Sequence, residues 1–185
     1  MTFQDTYDYK KIPPKITAYK GQIFRSQLEA TWAMFFDWSV YKWEYEPQER
    51  NLFRGWLPDF KVWLNPEDCP IYCEVKPLML IEVPSAIASK IIQAESRCCG
   101  ESDNNVITAI LGKQAPVWHN KQPSLGWVSF GKKGYERKWQ PMPITNAQVA
   151  EFRWNFAQIR VKRQFVHVRD ATRIFLLSLE NQNRS

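Results

Sequence analysis

The chain is poor in the residues that build soft metal sites and disulfide frameworks. It has two histidines and four cysteines in 185 residues. His119 and His167 are isolated from each other and from the acidic motif described below, and both read as structural or surface residues. Cys69, Cys73, Cys98 and Cys99 form no pair of Cys-x-x-Cys knuckles. A tetrathiolate metal site therefore has its ligand count but not its spacing, and the four read as small, mostly buried thiols in a reducing compartment. No apolar run reaches the roughly 18 residues of a membrane-spanning helix. The opening MTFQDTYDYKK contains acidic residues and has no apolar core, so a signal peptide is not expected and a cytoplasmic location is. There is no internal repeat, no low-complexity segment and no helix-turn-helix or finger motif.

Aromatics are plentiful. Nine Trp, seven Tyr and eleven Phe within a 44% hydrophobic composition are enough for one globular domain with a sizeable core. For each Trp, burial competes with stacking on an unpaired base, and burial is favoured. The net charge of +6 is unevenly spread. Residues 1–80 hold ten Lys/Arg against eleven Asp/Glu, and residues 81–185 hold fifteen against eight. A basic second half suits a polyanion such as nucleic acid, or serves only as a soluble cationic surface.

Residues 1–22, with Pro13-Pro14 and scattered Lys, read as an extended arm. Ser26 to about Ser39 reads as a helix with Leu28, Trp32, Phe35 and Phe36 on one stripe. Strands are expected at 43–46, 51–56, 59–64 and 71–76, the last three as an antiparallel meander, with a turn at 65–68. A helix over 85–97 and a buried strand over 106–111, ended by Gly112, follow. Further strands are expected at 126–130 and 135–140, then a helix over 146–163 with Val149, Phe152, Phe156 and Ile159 along one side. The order predicts an α/β domain with a mixed sheet. The apolar run 174–179 either finishes the core, the favoured outcome, or docks a subunit.

The chemistry concentrates in LPDF (57–60) and EVKP (74–77). On a strand alternate residues share a face, so Tyr72, Glu74 and Lys76 oppose Ile71, Cys73 and Val75. Glu74 and Lys76 then stand about 7 Å apart, and Asp59, at the start of the neighbouring strand, can reach the same spot. Two carboxylates and a backbone carbonyl make a hard oxygen site of the kind Mg²⁺ prefers. A Lys beside it can hold or deprotonate water and offset phosphoryl charge. The plain alternative is a Glu–Lys ion pair on a solvated strand face.

With the helix carrying Glu29 ahead of them, Asp59, Glu74 and Lys76 resemble the PD-(D/E)XK nuclease superfamily. The wording FRSQLEATWAMFFD, WEYEP, LPDF and EVKP resembles small phage and mobile-element nucleases. In plan it is similar to Holliday-junction resolvases and to the nuclease subunit of heteromeric transposases.

The resemblance covers residues 23–112. It implies a restriction-endonuclease-like α/β core of helix, antiparallel meander, helix and strand, with the mixed sheet flanked by helices. Residues 113–185 would then add basic strands and helices packed on that core. By the same resemblance Asp59, Glu74 and the Val75 carbonyl hold Mg²⁺, for which Mn²⁺ can substitute, and Lys76 is the catalytic lysine. Glu29 would hold a metal-bound water or a second ion. The implied activity is DNA endonuclease cleavage to 5′-phosphate and 3′-hydroxyl ends in a phage, transposon or recombination setting. Partners would be DNA and either a second copy or a targeting, transposase-like protein, with no membrane.

Glu29 also completes Ser26-x-x-Glu29, a capping box with a purely structural role. The exonuclease-branch Gln-to-Tyr spacing is not met, since Gln93 is followed by Arg97; Gln93 remains a candidate for active-site support. The cysteine positions do not match an iron–sulfur nuclease. Arg25, Lys90, Lys132, Lys133, Arg137, Lys138, Arg153 and Arg160 are the candidate phosphate contacts. The alternatives are a non-catalytic nucleic-acid- or protein-binding factor on the same fold, and a structure- or RNA-directed nuclease.

Overall fold

The computed structural model describes residues 15–48, 53, 55–96, 106–131 and 138–163. A seven-stranded sheet carries the site. Its path runs β3 (Lys42–Tyr45), β4 (Phe60–Trp63), β5 (Ile71–Val75), β6 (Val106–Leu111), β8 (Gln122–Gly131), β7 (Val117–His119), with β9 (Trp139–Pro143) also paired to β8. The sheet is mixed: β5 and β6 are parallel, joined by the crossover helix α2 (Ser85–Ser96), and the other pairs are antiparallel. Outside the sheet, β1 (Thr17–Tyr19) and β2 (Gln22–Phe24) pair as a hairpin. The described part of the expected N-terminal arm is thus ordered by strand pairing, and it feeds α1 (Gln27–Trp38).

Alternation along β5 divides the core in two. Ile71, Cys73 and Val75 face a cluster that includes Trp32, Phe35 and Phe36 of α1 and Trp154 of α3 (Ala147–Arg163). Tyr72 faces the second cluster, with Phe53, Trp56 and the α2 residues Ala88 and Ile91. Helices α1 and α3 therefore cover one face of the sheet and α2 the other. Trp32 has no exposure and spans the first layer, donating from Nε1 to the Gly112 carbonyl at 2.8 Å. Burial of a ring of this kind contributes about 1.5–3 kcal/mol, and the bond fixes α1 to the end of β6.

Three expectations need correction. Phe53, Gly55 and Trp56 are not in a strand, so the meander is β3–β4–β5, and Pro58 marks the entry to β4. On the side of α3 bearing Val149, Phe152, Phe156 and Ile159, three residues are exposed, Phe152 at 64%, while Phe156 packs on Trp38 of α1 at a ring-centroid distance of 4.0 Å. The inner side of α3 is Ala150, Trp154, Ala157 and Val161; the two alanines let Trp154 approach Trp32 to a ring-centroid distance of 4.7 Å. Cys69 is exposed and only Cys73 is a buried thiol, while Cys98 and Cys99 lie outside the described residues.

Candidate functional site

The acidic residues gather where β3 ends, β4 begins and β5 ends. An aromatic group builds the ground beneath them. Phe24, Tyr45 and Phe60 pack with centroids 4.5 to 6.1 Å apart, and Phe36 of α1 closes on Phe60 at 5.4 Å. This holds the strand that leads into α1, through Phe24, and the last turn of α1, through Phe36, against β3 and β4.

Asp59 lies one residue before β4, whose Phe60 pairs with Cys73 of β5. Its amide donates to the Cys73 carbonyl at 2.9 Å. Its Oδ2 accepts the Val75 amide at 2.7 Å, so the side chain continues the ladder where the backbone leaves it. Oδ1 pairs with Arg25 Nη2 at 2.7 Å. Glu74 is arranged likewise. Oε2 accepts Trp56 Nε1 at 2.6 Å, and Oε1 meets Lys76 Nζ at 2.6 Å. Each carboxylate thus has one oxygen held by a neutral N–H and the other by a cation. Both residues are buried, at 5% exposure each.

The Val75 carbonyl can be placed by elimination. The Lys76 amide donates across to Leu111 of β6 at 2.8 Å. In a trans peptide the carbonyl points opposite to the N–H, so the Val75 carbonyl is directed away from β6, to the side on which Asp59 lies.

The ionisation of Asp59 reports how close the charges are. Burial, then the charge of Glu74, push its carboxyl up to about 7, with Glu29 adding and the Val75 amide and Lys76 opposing. The charge of Glu74 acting on a buried Asp59 in this way would be relieved by a cation between them. The oxygen donors suit a hard divalent ion of the Mg²⁺ type, and such an ion would take over the oxygens now on Arg25 and Lys76. Among the described residues no group of three or more His, Cys, Asp or Glu forms a ready-made cage.

Glu29 serves as a structural cap, whatever else it does. Ser26 is the N-cap of α1, its Oγ accepting the Glu29 amide at 3.1 Å and donating to Glu29 Oε1 at 2.8 Å. Glu29 Oε2 takes the Tyr45 hydroxyl and the Arg25 amide. Burial, then the bond to Glu29, push the Tyr45 phenol up, which keeps it a donor. The charge of Glu29 nonetheless reaches Asp59.

Arg25, expected at a phosphate, bridges Asp59 and Glu46, the latter from Nε at 2.7 Å. Lys90 and Gln93 are exposed on α2, the helix on the face of the sheet that carries Tyr72. Lys138 is exposed just before β9, and Arg160 lies over the Phe156 ring at 5.0 Å. Arg153 is half-buried beside the C-terminal end of α1, away from the carboxylates. Lys132, Lys133, Arg137 and the run 174–179 lie outside the described residues.

Sequence reasoning missed Trp56, Tyr45 and the Arg25–Glu46 pair. Trp56 sits in irregular chain, where no periodicity marks its partner; its nearness to Pro58-Asp59 was the sole available cue. No described helix is long and apolar enough to cross a membrane. Comparison with family models, with curated proteins and with solved structures returns no match.

Proposed function

We propose that the protein is a metal-dependent nuclease of the PD-(D/E)XK type, built on a restriction-endonuclease-like core. The observation that carries this is the paired arrangement at Asp59 and Glu74. Neutral donors, the Val75 amide and Trp56, orient one oxygen of each carboxylate, and the opposite oxygens rest on exchangeable cations. A divalent ion bound there would supply Lewis acidity toward a phosphodiester oxygen and toward water.

The chain's own residues account for the remaining roles. Asp59, Glu74 and the Val75 carbonyl are the ligand set. Lys76, 36% exposed and released from Glu74, reaches the solvent side, where it orients the attacking water and offsets charge on the phosphoryl group. Arg25, released from Asp59, is a ready phosphate contact, and Glu29 holds the helix end beside them. DNA is the substrate class that fits the basic second half, with 5′-phosphate and 3′-hydroxyl products.

The same ion pairs favour a second reading, a nucleic-acid-binding factor in which Arg25 and Lys76 permanently neutralise the acids. The purified protein, incubated with supercoiled, linear, single-stranded and branched DNA and with RNA, in Mg²⁺, Mn²⁺ or EDTA, separates the two. Cleavage that needs the ion and is lost in Lys76→Ala and Glu74→Gln, with binding retained, supports hydrolysis. Binding without cleavage on every substrate establishes the second reading.

A further inference from the structure

A cavity of about 60 Å³ lies between the C-terminal end of α1 and the N-terminal end of α3, lined in part by Ser39, Tyr41, Thr145, Asn146 and Arg153. It has room for roughly four to six waters or one tetrahedral oxyanion, taking about 10–15 Å³ per water. Among the described residues, three of its polar groups have no hydrogen-bond or ion-pair partner. Ser39 Oγ is buried, its residue 9% exposed, with no hydrogen bond. A buried hydroxyl left unpaired costs about 1–3 kcal/mol, so this one calls for a guest. The Tyr41 hydroxyl and the Arg153 guanidinium line the same cavity and make no hydrogen bond or ion pair among the described residues. Burial pushes the Tyr41 phenol up and the charge of Arg153 pulls it back, which puts the two groups in one neighbourhood.

The charges around the cavity favour an anion. No carboxylate lines it. Asp37, the nearest acid on α1, is occupied elsewhere by Lys20 at 2.9 Å, Tyr19 at 2.7 Å and Trp43 at 3.1 Å. The first turn of the 17-residue α3 opens at the cavity, capped by Asn146 Oδ1 on the Val149 amide at 3.0 Å, and its end carries positive partial charge. The backbone brings Ser39 and Tyr41 to either side of a tight helix-ending turn, in which the Tyr41 amide donates to Phe36 and the Val40 amide to Asp37.

We propose that this cavity binds a small oxyanion of the phosphate class, with Arg153, Tyr41 and Ser39 as its donors. The site lies about 15 Å from Glu29 along α1, by helical rise, and it does not depend on the hydrolytic reading. The phosphate is either free or part of a nucleic-acid strand.

The test is a thermal-shift and calorimetric titration of the full chain with sodium phosphate in EDTA, against sodium chloride at equal ionic strength. Phosphate should raise the melting temperature saturably where chloride does not. Its affinity should fall about tenfold or more in Arg153→Gln and severalfold in Tyr41→Phe and Ser39→Ala, while Lys121→Gln, an exposed cation elsewhere, changes nothing. Short single strands with and without a 5′-phosphate then identify the source: competition with inorganic phosphate assigns the site to nucleic acid, and absence of competition to the free ion. Equal stabilisation by chloride overturns the proposal, and so does phosphate binding that survives unchanged in both Arg153→Gln and Tyr41→Phe.

Discussion

Replacing Asp59 with asparagine separates two opposing forces on one carboxylate. Burial and Glu74 favour its neutral form, with a pKa of about 7 against an ordinary 3.8, while Arg25 at 2.7 Å favours the anion. If the first pair dominates, the folded protein binds more protons than the unfolded chain between pH 4 and 7. The contribution of Asp59 to stability is then fully present below about pH 4 and is lost as pH rises through about 7. About three pKa units at 1.36 kcal/mol each set an upper bound of about 4 kcal/mol. Asparagine can still accept the Val75 amide but loses the Arg25 pair, so a gain of about 1–3 kcal/mol at pH 8 is expected. At pH 5 that gain should shrink toward zero. Urea unfolding of both proteins in EDTA at pH 5, 6.5 and 8 measures it. Equal destabilisation of Asp59→Asn at all three values would show that the ion pair governs Asp59, and the case for a charge-strained carboxylate pair would fail.

Two further outcomes are expected. Trp56→Phe keeps the ring in the second core cluster but takes the donor from Glu74 Oε2; it should cost about 1.5–3 kcal/mol by urea titration and reduce any metal-dependent cleavage more than tenfold, and full retention of both would remove Trp56 from the site. Val40 is a β-branched residue at φ 59 in the turn that ends α1, 87% exposed; Val40→Gly should raise stability by about 1 kcal/mol, and a lower melting temperature would refute the assigned strain.

Much of the frame was legible because periodicity and burial agree in it. The stripe of α1 with its Ser26 cap, the alternation of β5 and the continuous run of β6 each follow from one strong local pattern. The face shared by Tyr72 and Glu74 was readable for the same reason, as was the proximity of Asp59 across one strand pair. What escaped was set by tertiary contact. The helix α3 is apolar on two sides, and the inward side is the one whose alanines permit close approach, which a count of large residues misreads. Strand β7 has three residues and no pattern of its own. Trp56 and Tyr45 meet the acids through single polar atoms on otherwise apolar rings, and composition assigns such rings to the core. Arg25 looked available to a ligand because its partners, Glu46 and Asp59, are distant in the chain.

Under the proposed metal-dependent reading, the neutral donors on Asp59 and Glu74 would have a consequence for ion choice. In the proposed nuclease site, an amide and an indole would set the aim of each carboxylate without discharging it, and so hold the gap between the two acids before an ion arrived. A gap of fixed width admits a small octahedral ion more readily than a large, loosely coordinated one such as Ca²⁺. Discrimination by size would then be inherited from the β4–β5 pairing and Trp56, which space and aim the ligands.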